Sequence, residues 1–183
     1  MHVAVIDYSA GNTRSVRTAL HRLGCTTELT SNPTAIVSAP FVVLPGVGSA
    51  RSAMAHLDAT GASDALRQRF INDQPMLGIC LGMQLAVESS EEDGGVRGLG
   101  FFPGVVKRLN ESRVPRLGWD VVQPLGQTFY FAHSYFADTP SATDFVDGVT
   151  AVVRNRAFIG CQFHPEKSGD AGAEFLATCL TRG

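Results

Sequence analysis

The chain has no Cys-x-x-Cys pair, no His-Glu-x-x-His, no Gly-x-x-x-x-Gly-Lys loop and no cluster of lysines and arginines. The first two absences remove the common zinc-site spacings, and no carboxylate cluster has ligand spacing, so no metal or other cofactor is expected. The third removes the phosphate-cradling loop of nucleotide-driven enzymes. The fourth, with a net charge of −2, leaves no basic surface for nucleic acid. Four cysteines stand apart at positions 25, 80, 161 and 179, which is not the spacing of a disulfide framework and suits a reducing compartment. The start, MHVAVIDY, lacks the basic residues and cleavable apolar stretch of a secretory signal. The one long uncharged run, 29–50, holds three prolines and cannot be a continuous membrane-spanning helix. A soluble, cytoplasmic protein is therefore expected.

What is present is a globular balance, with 183 residues, 44% hydrophobic and 17% charged, enough to bury one core. Short apolar runs rich in β-branched residues predict strands at 2–8, 26–30, 41–44 and 76–79. Between them lie a turn at Ser9–Gly11 and a helix in which Val16, Leu20 and Leu23 share a face. Asn12 or Thr13 could cap that helix and Gly24 would end it, while a further helix is expected over about 64–72. Alternating strands and helices predict an α/β fold with a mostly parallel central sheet and helices on both faces. The C-terminal half adds strand-like runs at 104–108, 120–122, 128–132, 149–154 and 158–163, then a closing helix at 171–180. The stretch 88–100, rich in Glu, Ser and Gly, reads as a solvated loop.

The most informative residues are Gly78-Ile79-Cys80-Leu81-Gly82, between an apolar strand and a helix-compatible run at 83–87. A nucleophile flanked by glycines two positions away is the pattern of a nucleophile elbow, with cysteine in place of serine. The sharp turn crowds the backbone, hence the glycines, and raises the sulfur above the sheet near a helix N-terminus that would favour a thiolate. Taken alone, the pattern leaves equal room for a small buried cysteine.

Phe163-His164-Pro165-Glu166, after the strand 158–163, shifts that balance. A thiol nucleophile needs a base and the base needs an orienting group. His164 can be the base and Glu166 its partner, at a strand end where α/β folds place their chemistry. His2, His21 and His56 read as structural, His133 as structural or positioning, and Cys161 and Cys179 as packing. Acyl transfer also needs oxyanion donors, worth about 3 kcal/mol each when well placed. Pro45-Gly46-Val47-Gly48 offers unshielded backbone N–H groups, and the Leu81 N–H after the nucleophile is the natural second donor.

These residues resemble the class I, triad-type glutamine amidotransferases, and among them the glutaminase subunits of imidazole glycerol phosphate synthases. The likeness runs through IDYSAGNTRSV, LPGVGSA, GICLGMQLA, GLGFFPG, the Gly-Trp pair, FAHSYF and QFHPEKSG, nearly the whole chain. It implies one amidotransferase domain over 1–183, with Cys80 as nucleophile, His164 as base and Glu166 as its partner. It implies Val47, in a peptide that must reorient, and Leu81 at the oxyanion, and Gly46, Gln84, Ser134 and Tyr135 around the glutamine substrate. Asn12, Trp119, Tyr130 and Lys167 match positions facing a partner, a βα-barrel cyclase subunit of a heterodimer that receives the ammonia for histidine biosynthesis. Arg116 and Asp120 depart from the family pattern beside Trp119, and Ser9 replaces a usual glycine.

Once the elbow, the oxyanion loop and the HPE strand are assigned, few residues remain to hold an ammonia acceptor. The acceptor then lies on another chain, or the chain merely hydrolyses glutamine. Three other readings stay open at this point: a paralogous subunit feeding a different synthase, a catalytically silent docking subunit, and a stand-alone cysteine hydrolase.

Overall fold

A computed structural model describes residues 1–8, 12–110 and 114–181; the expected Ser9–Gly11 turn and the Ser9 departure lie outside the described residues. Along the chain run β1 (His2–Ile6), α1 (Thr13–Arg22), β2 (Thr26–Thr30), α2 (Pro33–Ser38), β3 (Phe41–Leu44), α3 (Ala50–Thr60), α4 (Ala62–Ile71) and β4 (Met76–Ile79). The elbow helix α5 (Leu81–Gln84) leads into β5 (Val87–Ser90), β6 (Val96–Arg97), β7 (Phe102–Arg108), β8 (Arg116–Val122) and β9 (Gln127–His133). The chain closes with β10 (Tyr135–Asp138), β11 (Ala142–Val146), β12 (Val149–Asn155), β13 (Phe158–Cys161) and α6 (Gly169–Thr181).

The main sheet has the order β11-β12-β13-β4-β3-β1-β2, parallel from β13 to β2 with β11 and β12 antiparallel at one edge. Its inner strands β3, β4 and β13 are buried at every position, so each side must be covered. Val3, Val5, Phe41, Val43, Leu77 and Ile79 enter one core, against Val16 and Leu20 of α1, Phe175 and Leu176 of α6, and Phe129 and Phe131 of the β8–β9 hairpin. Ala4, Ile6, Val42, Leu44 and Met76 enter the other, with Ile36, Leu57 and Leu66 of α2, α3 and α4 and the small sheet β10-β7-β5-β6. The expected α/β class with added C-terminal strands is the one observed.

The structure differs from the sequence reading in four places. Helices α2 and α3 went unread, although Asn32 before Pro33 is a cap signal: the Asn32 side chain accepts from Thr34 and Ala35 N–H. The run 83–87 is not a helix; α5 stops at Gln84 and Val87 opens β5. The stretch 88–100 is not a free loop, because Glu92 and Asp93 accept hydrogen bonds from the Ala50 and Arg51 N–H groups at the start of α3. That helix start ties the acidic turn down and lets β5 and β6 pair beside it. β10 and β11 were also missed, each four or five residues long.

Arg69 of α4 is fully buried. Its guanidinium donates to the carbonyls of Ile36, Val37 and Ala39 at the end of α2 and to Pro75 at the start of β4. Burial lowers its pKa to about 10, so it stays charged while capping α2 and linking it to the strand that carries the elbow. Arg69→Met should cost about 3 kcal/mol or more, because several buried carbonyls lose their donor together. That corresponds to a fall in thermal midpoint of roughly 10 °C. A loss below about 1 kcal/mol would show that water or backbone shifts replace the guanidinium.

Candidate active site

β4 lies in the middle of the main sheet, between β3 and β13, and every residue in it is buried. At its C-terminal end Cys80 has φ 49° and ψ −107°, a backbone conformation that costs a non-glycine residue on the order of 1–3 kcal/mol. Three hydrogen bonds hold it: its N–H donates to Cys161 O at 2.7 Å, and its carbonyl accepts from Met83 and Gln84 N–H at 3.0 and 3.1 Å. The glycines have the purpose their spacing suggests. A Cβ on Gly82 would lie 1.9 Å from Leu44 O, and one on Gly78 2.8 Å from Gly82 O. Gly46 obeys the same constraint from the other side, since a Cβ there would lie 1.9 Å from Ile79 O and 2.4 Å from Leu81 N. The loop after β3 is thus pressed backbone to backbone on the elbow, which brings Gly46, Val47, Cys80 and Leu81 to the wall of one cavity.

The expected help from a helix N-terminus is small, because α5 is a single turn of four residues. The charge beside the sulfur comes instead from His164. This residue follows β13, and its N–H donates to Tyr130 O at 2.9 Å while its carbonyl accepts from Ser168 Oγ at 2.7 Å. The same Ser168 Oγ accepts from Tyr130 N–H at 3.0 Å, so β9 and the HPE turn are stitched together. Phe163, just before, stacks on Phe129 at 3.9 Å and meets Phe175 edge-on at 4.9 Å. Its imidazole Nδ1 lies 2.9 Å from Glu166 Oε1, with both side chains almost wholly buried, and the ring also hydrogen-bonds Cys80. Burial by itself would lower the His164 pKa. The hydrogen bonds to Cys80 and Glu166 and the negative charges on both outweigh it, and the pKa rises from 6.5 to about 9.

Asn12 stands at the N-cap position of α1 with φ 82°, but its side chain makes no capping hydrogen bond and donates instead to Glu166 Oε1 at 3.0 Å. Trp119, Tyr130 and Lys167 form one outer patch, with Trp119 5.7 Å edge-on from Tyr130 and the Lys167 ammonium 5.9 Å from the same ring. On β8 the side chains of Leu117 (64% exposed), Trp119 (57%) and Val121 (48%) form an exposed apolar row. Arg116 and Asp120 alternate with that row and are half-buried, and Arg116 lies 3.6 Å from Asp147 of the same chain. The two departures in charge therefore lie off the exposed row.

The cavity at Cys80, about 330 Å³, is lined by Gln84, Ser134 and Tyr135 as expected, and also by His133 and Glu92. His133 donates through Nδ1 to Tyr135 O at 2.8 Å, a positioning contact. Three residues went unrecognised in the sequence. Glu92 gives the cavity a carboxylate, and its pKa is raised mainly by burial. The buried Tyr8 donates its hydroxyl to Pro45 O and so holds the loop after β3; burial and the nearby Cys80 charge push its phenol well up. Gln162, wholly buried, places its amide nitrogen 3.4 Å from Cys80 Sγ. Gln162 lies two positions before His164 and opens the stretch QFHPEKSG, which is the signal the sequence offers for it. The other cysteines, Cys25, Cys161 and Cys179, are free and buried, and burial raises the Cys161 thiol well up. Among the described residues no group of three His, Cys, Asp or Glu side chains is placed to hold a metal ion, and no helix is long and apolar enough to cross a membrane.

An elbow cysteine, an imidazole and a buried carboxylate meet at the C-terminal end of a parallel sheet, the set of groups that acyl transfer through a thiol requires. Residues 4–182 match the family described as glutamine amidotransferase class-I. The chain is 40% identical to the imidazole glycerol phosphate synthase subunit HisH of Dehalococcoides mccartyi, over 93% of this chain and 92% of that one. It is 43% identical to the subunit of the same name from Moorella thermoacetica, over 95% and 91% of the two chains. Among solved structures, a glutamine amidotransferase superposes with a TM-score of 0.82 at 19% identity over 99% of each chain, a likeness of fold. The chain belongs to the class-I glutamine amidotransferases and, within them, to the family of the HisH subunits.

The raised His164 pKa sets a pH signature. A base whose folded pKa exceeds its unfolded value contributes stability that is complete below about 6.5 and lost as the pH rises through about 9. Wild-type protein should therefore outlast Glu166→Gln on heating at pH 6.5, with the gap narrowing by pH 10. Equal gaps at both pH values would mean that the imidazole is neutral in the folded chain.

Proposed function

We propose that this chain is the glutaminase subunit of imidazole glycerol phosphate synthase. It hydrolyses glutamine to glutamate and ammonia and passes the ammonia to a cyclase subunit with a βα-barrel fold. One observation carries the chemistry: a buried imidazole hydrogen-bonded to Glu166 and to Cys80, the residue through which this group meets the wall of a small cavity. The identity to HisH subunits over more than nine-tenths of the chain supports the acceptor. On this reading the whole of 1–183 acts as one amidotransferase domain.

Glutamine enters with its side-chain amide over Cys80. Glu92, the carboxylate of the cavity wall, meets the α-ammonium, while Gly46, Gln84, Ser134 and Tyr135 shape the remainder. The Cys80 sulfur attacks the amide carbon, and the oxyanion is received by the Val47 and Leu81 N–H groups. His164, as imidazolium, gives its proton to the departing nitrogen, which leaves as ammonia. Neutral His164 then takes a proton from water, whose oxygen attacks the thioester carbonyl. The C–S bond breaks, glutamate leaves, and the thiolate–imidazolium pair is restored. Glu166 keeps the Nδ1 proton in place throughout, and Asn12 holds Glu166.

The partner covers the face that carries Leu117, Trp119, Tyr130 and Lys167. Its apolar row resembles the centre of an interface, and Asn12 leads inward from that side to Glu166. Ammonia set free without an acceptor is glutamine lost, so turnover is expected to wait for the liganded partner.

Glutamate release should be low for the chain alone and should rise about tenfold or more with the cyclase barrel and its phosphoribosyl ligand, a gain of at least about 1.4 kcal/mol. Cys80→Ala should abolish glutamine use in that mixture yet still bind the barrel, and Glu166→Gln should be the milder change. Glutamine-dependent product from the Cys80→Ala complex would remove the nucleophile assignment. Fast turnover by the isolated chain, unchanged by the barrel, would remove the coupling.

A further inference from the structure

Gln162 has no part in the triad, yet its amide is aimed at the reacting sulfur and its direction follows from its neighbours. Tyr135 O, as a carbonyl, can only accept. Gln84 must therefore turn its Nε2 toward that oxygen, at 2.8 Å, and the same nitrogen donates to Gln162 Oε1 at 3.0 Å. With its oxygen committed to Gln84, Gln162 presents Nε2 to Cys80 Sγ at 3.4 Å. An amide nitrogen can only donate, so the row from Tyr135 to Cys80 has one consistent orientation. Gln162 is wholly buried, and its backbone N–H is tied to Ala151 O at 2.8 Å, so the donor is held in place before any ligand arrives. A charge-assisted hydrogen bond in such a place favours whichever form of the sulfur accepts most strongly, the thiolate.

We infer that Gln162 is a further catalytic residue: its side-chain N–H holds negative charge on the Cys80 sulfur whenever that sulfur is not bonded to the substrate's carbonyl carbon. The inference deepens the proposed glutaminase reading and rests on it for the reaction. In acylation the sulfur lone pair forms the C–S bond while the C–N bond breaks, and the nitrogen takes the His164 proton. In deacylation the water oxygen forms the new C–O bond and the C–S pair returns to sulfur. Gln162 stays neutral and moves no proton; it donates to the thiolate at the start and to the leaving sulfur at the end. Gln84 has a second duty on this account. Besides lining the cavity, it keeps the Gln162 amide from turning its oxygen toward the sulfur.

The test is the pH profile of Cys80 alkylation by iodoacetamide in the full chain, with glutamate release measured on the same preparations. Iodoacetamide reads the sulfur without reference to glutamine, so a failure of the glutaminase reading remains distinguishable from a failure here. Gln162→Leu should raise the midpoint of the profile by about one pH unit, the equivalent of about 1.4 kcal/mol. It should also lower kcat about tenfold while KM stays within about twofold. Gln162→Glu, which offers the sulfur an acceptor in place of a donor, should raise the midpoint further. Should neither variant fold, Gln84→Met frees the Gln162 amide to turn and should move the midpoint the same way by less. An unchanged midpoint in the folded variants, or a KM increase at constant kcat, would reduce Gln162 to a packing residue of the pocket and overturn the inference.

Discussion

The site depends on one steric constraint, the contact of two stretches of backbone where the loop after β3 lies on the turn after β4. Gly46 and Gly82 are the residues that permit it, and at either one a single methyl group would sit inside a neighbouring carbonyl oxygen. That contact sets the distance between the loop that carries Val47 and the sulfur. It also explains why Cys80 keeps an unfavourable backbone conformation. The sheet on both sides, α5 above and the loop opposite leave the turn no room to relax. Tyr8 reinforces the arrangement from below through the Pro45 carbonyl, and Arg69 holds the start of the same strand from a distance.

Around this fixed elbow the polar groups form two lines that end on the sulfur. One runs from Asn12 through Glu166 to His164 and, on the proposed reading, carries the proton chemistry. The other runs from Tyr135 through Gln84 to Gln162 and carries no charge of its own. The first begins at Asn12, a residue assigned to the partner's side. The second begins in the wall of the substrate cavity. Tyr130 is joined to the HPE turn twice, through its carbonyl to His164 N–H and through its N–H to Ser168. A change of position in β9 therefore has a short mechanical path to the base.

Much of this was legible in the sequence because the signals were local. Gly78, Cys80 and Gly82 announce an elbow by spacing, and His164 and Glu166 announce a base and its partner. The alternation of β1, β3 and β4 between two cores follows from their runs of consecutive apolar residues. What escaped is set by long-range contacts. The acidic stretch near Glu92 has the composition of a loop, and only its docking on the start of α3 turns it into ordered chain and a cavity wall. Asn12 fits the description of a helix cap, but Glu166, 154 residues away in the chain, is a stronger claimant for its amide. Gln162 and Tyr8 lie inside stretches that carry the family resemblance, but nothing in their spacing gives either one a role. Their roles arise from what the sheet places above them.

The central claim is that Cys80 is the one activated nucleophile and that it acts on the side-chain carbon of glutamine. Mass spectrometry of the intact chain after incubation with an electrophilic glutamine mimic, followed by peptide mapping, addresses it directly. The account predicts a single adduct on Cys80, slowed by added glutamine, with Cys25, Cys161 and Cys179 unlabelled. Labelling spread over several cysteines, or labelling of Cys80 that glutamine does not slow, would contradict it.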